Sequence, residues 1–143
     1  MRFDLIVNHL TYNAMIKRKL TVLGGEQRRP QIHIDDITEY FVELLQAPKE
    51  LIRGEVFNAG GQNVSILEIV QIIRTLVNTD IKVEMLPYRE DEKTFVLDSS
   101  KIAGRLNLIP QKTVSDAVMG IVNGLSRQCH NSRTGRGRGI WRN

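Results

Sequence analysis

The sequence predicts an α/β fold, because short strand-like runs alternate with stretches of helical periodicity along most of the chain. Pairs of glycines at 24–25 and 60–61 close two of the strand-like runs. Polar residues with the pattern of helix caps stand before several of the helical stretches. The 143 residues are about the length of one domain, and no internal repeat is apparent.

The N-terminal part predicts a helix, two strands and a second helix. Apolar residues at helical spacing predict a helix over residues 3–17, and "KLTVLGG" predicts a strand. "QIHI" predicts a second strand that contains His33 as a structural histidine. Asp35 or Asp36 then offers a carboxylate to free backbone N–H groups and begins the second helix. The residues predicted on its apolar face are Ile37, Phe41, Leu44 and Leu45.

The middle of the chain predicts three strands and a strongly apolar helix. "GEVFNAGG", "IKVEML" and "TFVLD" have the residue types of strands. Ser65 and Glu68 form the capping-box pattern that opens a helix between the first two of these runs. The residues that this helix is predicted to bury are Ile66, Ile69, Val70, Ile73 and Val77.

Two further helices are predicted before the C-terminus. Ser99 or Ser100 begins a short helix that ends at Leu106, and Pro110 interrupts the chain after it. Thr113 and Asp116 then open a last helix that ends at Leu125. The apolar residues of this helix are Val114, Ala117, Val118, Ile121, Val122 and Leu125.

The basic character of the chain belongs to its C-terminal segment, residues 126–143. Five arginines and no acidic residue lie there, whereas the other 125 residues carry 15 basic and 16 acidic groups, a net charge of −1. We predict this segment to be an Arg/Gly-rich disordered tail, because it has few apolar residues and no periodicity. The body of the protein is therefore not predicted to bind nucleic acid.

Several classes of protein and site are not supported by the sequence. No apolar run is long enough to span a membrane, and the single cysteine, Cys129, favours a cytoplasmic protein without internal disulfides. The three histidines are scattered along the chain, so no metal site is predicted. "NAGGQNVS" lacks the G-x-G-x-x-G spacing of a dinucleotide-binding turn, and "GRGRG" follows no strand.

Arg28 and Arg29 follow a glycine turn and leave two interpretations open. A guanidinium beside the edge of a sheet can bind a phosphate group, but residue types alone favour a solvated surface pair. The charged run "YREDE" could likewise bracket a sugar or form a solvated loop.

Three segments, taken in order, resemble one protein family. They are "KLTVLGGEQRRPQIHIDDI", "GEVFNAGGQNVSILEIV" and "YREDEKTFVLDSSKIAGRLNLIPQKTVSDAV". In order and spacing they resemble the C-terminal half of the NAD-dependent epimerase/dehydratases, which are extended short-chain dehydrogenase/reductases acting on nucleotide sugars. The resemblance covers residues 2–125 and implies that residues 1–125 form the substrate-binding C-terminal portion, with an incomplete Rossmann sheet and the NAD-binding half absent.

The resemblance assigns substrate-binding roles to eight residues. Arg29 matches the arginine that contacts the nucleotide diphosphate, although Pro30 and Gln31 depart from the residues that usually follow it. The strand residues whose backbone would read the base are Thr21, Val22 and Leu23. Asp4 and Leu5 match the helix start near the phosphates, and Asp91 matches an acid that helps to close over the nucleotide. Arg89 is carried over with a shift, since it stands two residues before Asp91 rather than three.

The catalytic motifs of the family are missing from this sequence. The residues four positions after Tyr12, Tyr40 and Tyr88 are not lysines, so there is no Tyr-x-x-x-Lys, and there is no N-terminal G-x-x-G-x-x-G. The resemblance therefore implies nucleotide-sugar binding without catalysis and without NAD bound by this chain alone. It also implies that another chain supplies the NAD-binding half, and that without it the apolar face of "ILEIVQIIRTLV" is exposed.

Two other interpretations remain open. The chain could be a non-enzymatic binding protein whose arginine-rich tail contacts RNA, or a pseudo-enzyme subunit that pairs with a complete relative. A truncated or frameshifted reading frame is also compatible with the tail. Whether the chain is an enzyme, and which nucleotide and sugar its family reaction uses, is left open by these residues.

Overall fold

The computed structural model describes residues 4–77, 80–87 and 93–133. Within these ranges the helices and strands alternate as expected for an α/β protein. In chain order they are α1 (Ile6–Lys17), β1 (Lys19–Leu23), β2 (Arg28–Gln31), α2 (Ile34–Gln46), α3 (Lys49–Ile52), β3 (Gln62–Ser65), α4 (Ile66–Val77), β4 (Lys82–Leu86), α5 (Ser100–Leu106) and α6 (Val114–Arg133).

The described strands form two separate pairs. β1 and β4 are parallel, with Lys19 opposite Lys82 and Leu23 opposite Leu86. β2 and β3 are antiparallel, with Arg28 opposite Ser65. The predicted strands "KLTVLGG" and "IKVEML" are confirmed as β1 and β4.

Helices α1, α4 and α6 pack together with β1 to form the main hydrophobic core. All five predicted apolar positions of α4, namely Ile66, Ile69, Val70, Ile73 and Val77, are buried there. The expectation that this face of α4 is exposed is therefore wrong, because α1 and α6 cover it. No helix in the described ranges is both long enough and apolar enough to cross a membrane.

Helix α2 buries a different set of residues from the predicted one. Asp36 and Tyr40 are its buried residues, whereas Phe41 is 64% exposed and Leu45 is 87% exposed. The periodicity correctly indicated an apolar face, but no described element covers its C-terminal half. Burial depends on the neighbouring elements, which the period of a single helix does not reveal.

The turn between β2 and α2 also differs from the prediction. β2 ends at Gln31, and His33 is the N-cap of α2, with its Nδ1 accepting a hydrogen bond from the Asp35 N–H at 3.2 Å. His33 is therefore not a strand residue, and Asp35 and Asp36 are not the cap. The buried Asp36 carboxylate instead accepts hydrogen bonds from the backbone N–H groups of Gln111 and Lys112, both at 3.0 Å.

Two predicted strands are absent from the described residues, where side-chain hydrogen bonds replace part of a backbone ladder. "GEVFNAGG" and "TFVLD" contain no strand, and β3 begins only at Gln62. The Asn63 amide bonds the backbone N–H and carbonyl of Leu97, both at 2.9 Å. The Phe95 N–H donates to the Arg28 carbonyl at 3.0 Å. Residues 94–98 are therefore attached to the β2–β3 pair without forming a third strand.

Helix α6 opens as predicted but continues further. The Asp116 carboxylate accepts from the Thr113 N–H at 2.8 Å and from its hydroxyl at 2.6 Å. The helix runs to Arg133 rather than ending at Leu125, and no proline interrupts residues 126–133. The predicted disorder thus does not begin at residue 126. For residues 134–143, which lie outside the described ranges, disorder stays a prediction.

The capping box at the start of α4 also joins this helix to β2. The Glu68 N–H donates to the Ser65 hydroxyl at 3.1 Å, and the Ser65 N–H donates to the Glu68 carboxylate at 2.6 Å. One guanidinium nitrogen of Arg28, Nη2, donates to both oxygens of the same carboxylate, at 3.0 and 3.1 Å. Glu68 therefore holds β2, and with it Arg29, against the N-terminus of α4.

We expect Glu68→Gln to lower stability at neutral pH and to lose this effect in acid. The hydrogen bond from the Ser65 N–H, and then that from Arg28, hold the pKa of Glu68 below its usual value. A carboxylate of this kind stabilises the fold above its unfolded pKa of about 4.3, and the contribution disappears as the pH falls through the lower folded value.

Urea denaturation of the wild type and of Glu68→Gln, between about pH 7 and pH 3, measures this difference. Glu43→Gln, on the exposed surface of α2, is the matched control. A stability gap between wild type and Glu68→Gln that does not change with pH would contradict the assignment.

We expect Tyr40→Phe to leave stability unchanged or to raise it by about 1 kcal/mol. Tyr40 is 3% exposed, and its hydroxyl is buried with no hydrogen-bond partner among the described residues. Burial, and then the charge of Asp36, raises the pKa of this hydroxyl. Removing an unpaired hydroxyl relieves a desolvation cost, so a clear loss of stability in thermal unfolding would show that the hydroxyl has a partner.

Candidate functional site

The main cleft of the described structure has a volume of about 1060 Å³. It opens where β1 and β2 meet the N-terminal ends of α1, α2 and α6. Its walls are largely apolar, with polar and charged side chains from Arg29, His33 and Lys112. Such a mixture is typical of a ligand-binding cleft.

Six of the eight residues predicted to bind substrate line this one cleft. They are Arg29, Thr21, Val22, Leu23, Asp4 and Leu5. They come from β2, β1 and the start of α1, so the fold brings together positions that are separate in the sequence. The other two, Arg89 and Asp91, lie outside the described residues. The structure thus shows where these six residues lie, whereas their roles in substrate binding remain predictions.

The neighbouring arginines of β2 have different surroundings. Arg28 pairs with Glu68, outside the cleft, whereas Arg29 lines the cleft. The Arg29 guanidinium nitrogen Nη1 donates to the carbonyl oxygens of Arg28, at 2.9 Å, and of Lys93. Within residues 4–77, 80–87 and 93–133, Arg29 contacts carbonyls rather than a carboxylate. The two arginines therefore do not form a joint clamp, and of the two only Arg29 lines the cleft.

The backbone of β1 presents one hydrogen-bonding edge to β4 and the other to the cleft side. The Gly24 N–H donates to the Leu86 carbonyl, and the Lys82 N–H donates to the Arg18 carbonyl, both at 3.0 Å. In a parallel ladder alternate residues face the partner strand, so the backbone groups of Thr21 and Leu23 point to the opposite edge. No other described strand pairs with that edge.

Helix α1 begins at the cleft wall. Its N-cap residue, Leu5, makes no side-chain capping hydrogen bond, and the first turn lines the cleft. The first backbone N–H groups of a helix and its dipole create a positive potential, which favours an anion.

Gln27, Gln62 and Lys112 also line the cleft, although no sequence pattern indicated them. The Gln62 side-chain carbonyl accepts a hydrogen bond from the Val114 N–H at 2.8 Å and so holds the start of α6. Lys112 could have been found from its position, because a cation directly before the capping Thr113 lies at the start of a helix. No cluster of three or more potential metal ligands occurs in the described part of the chain.

Comparisons with known proteins agree with the predicted family. Residues 4–60 match the model of the NAD dependent epimerase/dehydratase family. The CDP-paratose 2-epimerase of Salmonella typhi is 35% identical over 109 residues, which are 72% of this chain and 32% of that protein. The chain thus spans about a third of the length of this curated relative.

Solved structures show the same relationship. The UDP-glucuronic acid 4-epimerase of Bacillus cereus, in complex with UDP-glucuronic acid and NAD, is 28% identical with a TM-score of 0.74, over 89% of this chain and 41% of that one. The UDP-glucose 4-epimerase of Thermotoga maritima shares the fold, with 17% identity and a TM-score of 0.72 over 86% of this chain and 40% of that one. The predicted recognition is confirmed: the chain belongs to the NAD-dependent epimerase/dehydratase family of extended short-chain dehydrogenase/reductases.

Proposed function

We propose that the cleft binds the nucleotide diphosphate part of a nucleotide sugar. The observation that carries the proposal is that Arg29, the strand residues 21–23 and the start of α1 line one cleft of about 1060 Å³. The related proteins are epimerases named for CDP-paratose, UDP-glucuronic acid and UDP-glucose. All three are nucleoside diphosphates joined to a sugar, and this is the class of ligand that we propose.

The diphosphate is bound by Arg29 and by the first turn of α1. The bonds from Arg29 to the carbonyls of Arg28 and Lys93 orient its guanidinium and limit the rotamer entropy lost on binding. Charge-assisted hydrogen bonds from a guanidinium to phosphate oxygens are stronger than neutral ones. The N–H groups at the start of α1 supply additional donors.

The base lies along the free edge of β1 in this proposal. The Thr21 N–H and C=O groups and the Leu23 N–H offer donors and an acceptor, which match the hydrogen-bonding edge of a nucleobase. Apolar side chains such as Leu5 and Ile34 supply surfaces against which a flat ring can pack.

The glycine turns of the described residues do not fit the pyrophosphate of NAD. Its two glycine pairs pack against protein: a Cβ at Gly61 would lie 2.6 Å from the Gln31 carbonyl oxygen, and one at Gly25 would lie 2.8 Å from Leu67 Cγ. Neither turn leaves room for a pyrophosphate. We therefore propose that the NAD-dependent step of the family reaction requires a chain that supplies the NAD-binding half, with this chain contributing nucleotide-sugar binding.

We expect Arg29→Ala to weaken the binding of UDP and CDP by roughly tenfold to a hundredfold, the usual range for a charged hydrogen bond. Isothermal titration calorimetry measures the affinity. Arg74→Ala, on the exposed surface of α4, is the matched control, and Arg29→Lys should give an intermediate loss.

Because Arg29 also contacts the Lys93 carbonyl, thermal unfolding of each variant separates loss of binding from loss of fold. Identical heats for wild type and Arg29→Ala would refute the assignment of this residue. Absence of any nucleotide binding by the wild type would refute the proposed function.

We expect no turnover when the purified chain is incubated with NAD and either UDP-glucuronic acid or UDP-glucose. The sequence has no Tyr-x-x-x-Lys to remove a hydroxyl proton during hydride transfer. NMR spectroscopy of the sugar and absorbance of NADH measure the two products. An epimerised sugar or NADH formed by this chain alone would contradict the expectation.

A further inference from the structure

The turn after β1 is held by a side chain to which the proposed function assigns no role. The Gln27 side-chain carbonyl accepts a hydrogen bond from the Gly25 N–H at 2.6 Å. Its amide nitrogen donates to the Leu23 carbonyl at 2.7 Å. Gln27 is only 7% exposed, and it lines the cleft. The Gln27 side chain thus bonds both a backbone N–H and a backbone carbonyl of the same turn.

Two other elements hold the same turn. The Gly24 N–H donates to the carbonyl of Leu86 in β4, at 3.0 Å. The N–H of Leu67 in α4 donates to the Gly25 carbonyl, at 3.1 Å. Gly25 has a φ of +124°, a backbone conformation that residues other than glycine rarely adopt. The turn is therefore fixed by β4 on one side, by α4 on another and by Gln27 at the cleft.

Gln27 acts on the edge of β1 that faces the cleft side. The ladder with β4 uses alternate residues, so the carbonyl of Leu23 belongs to the opposite edge, and Gln27 bonds it there. The amide of Gln27 takes the place of a neighbouring strand at this point. It satisfies the last carbonyl of β1 and fixes the direction of the peptide groups before it.

We infer that Gln27 is a positioning residue for base recognition, holding the end of β1 so that the Thr21 backbone groups and the Leu23 N–H keep their direction towards a bound nucleobase. This inference rests on the proposed function. A neutral amide suits the position because it can donate to a carbonyl and accept from an N–H at the same time.

Gln27→Glu tests the inference with almost no change of shape. The introduced carboxylate can accept from the Gly25 N–H, but it cannot donate to the Leu23 carbonyl and repels it. At about pH 7.5 we expect the affinity for CDP and UDP to fall roughly tenfold more than that for inorganic pyrophosphate, whose loss measures the repulsion by the added charge. Gln71→Glu, on the exposed surface of α4, is the matched control and should change neither affinity.

Acid should restore the affinity of Gln27→Glu. A protonated carboxyl group carries an O–H donor and a carbonyl acceptor, as the amide does. The ratio of variant to wild-type affinity for CDP should therefore return towards one as the pH is lowered to about 5. Dividing the ratio for CDP by that for pyrophosphate at each pH removes the repulsion by the added charge, and a role in packing alone would produce no such recovery.

NMR spectroscopy of the wild type gives a test that needs no variant. CDP or UDP should shift the signals of the Gly25 backbone amide and the Gln27 side-chain amide, whereas pyrophosphate should not. Unchanged CDP affinity in Gln27→Glu, or an equal loss for pyrophosphate, would overturn the role of Gln27 alone. Wild-type protein that binds neither CDP nor UDP would overturn the proposed function and this inference together.

Discussion

The cleft depends on the buried carboxylate of Asp36. This side chain is 2% exposed and accepts two backbone hydrogen bonds, from Gln111 and Lys112. Burial of a carboxylate is unfavourable unless its oxygens are bonded, and here two N–H groups replace lost water. The bonds join α2, which buries little apolar surface of its own, to the segment that enters α6. Because the start of each helix lines the cleft, Asp36 sets the distance between two of its walls.

The core was more predictable than the connections. The capping boxes of α4 and α6 and the buried face of α4 follow from patterns within a few residues, and the structure confirms them. His33 and Asp36 were misassigned because local propensity ranks aspartate above histidine as a cap. The partners of Asp36 lie about seventy-five residues further along the chain. No local pattern contains that information, and the same holds for the attachment of Leu97 by Asn63.

The candidate site also contains some residues that the sequence indicated and others that it did not. Residue types alone could not separate Arg28 from Arg29, although the two-residue period of a strand requires neighbours to face opposite sides. The family resemblance identified six residues that line the cleft, because it carries information about tertiary structure. It did not identify Gln27, which bonds the backbone of Leu23 and Gly25. Hydrogen bonds to backbone groups depend on the geometry of the turn. The types of the residues next to Gln27 in the sequence therefore do not reveal them.

Binding of an anion by this chain follows from local rather than net charge. Residues 1–125 carry a slight negative charge, and the arginine-rich segment lies at the other end of the sequence. Within the cleft, however, Arg29, Lys112 and the start of α1 come together, with the acidic Asp4 also in the lining. Charges more than about 10 Å away are largely screened at physiological salt, whereas groups in a largely apolar cleft are screened much less. The field at a bound diphosphate therefore depends on the charged groups that line the cleft rather than on the net charge of the chain. A basic isoelectric point would indicate a polyanion partner for the chain as a whole, whereas the arrangement in the cleft favours a small anion with one adjoining flat ring.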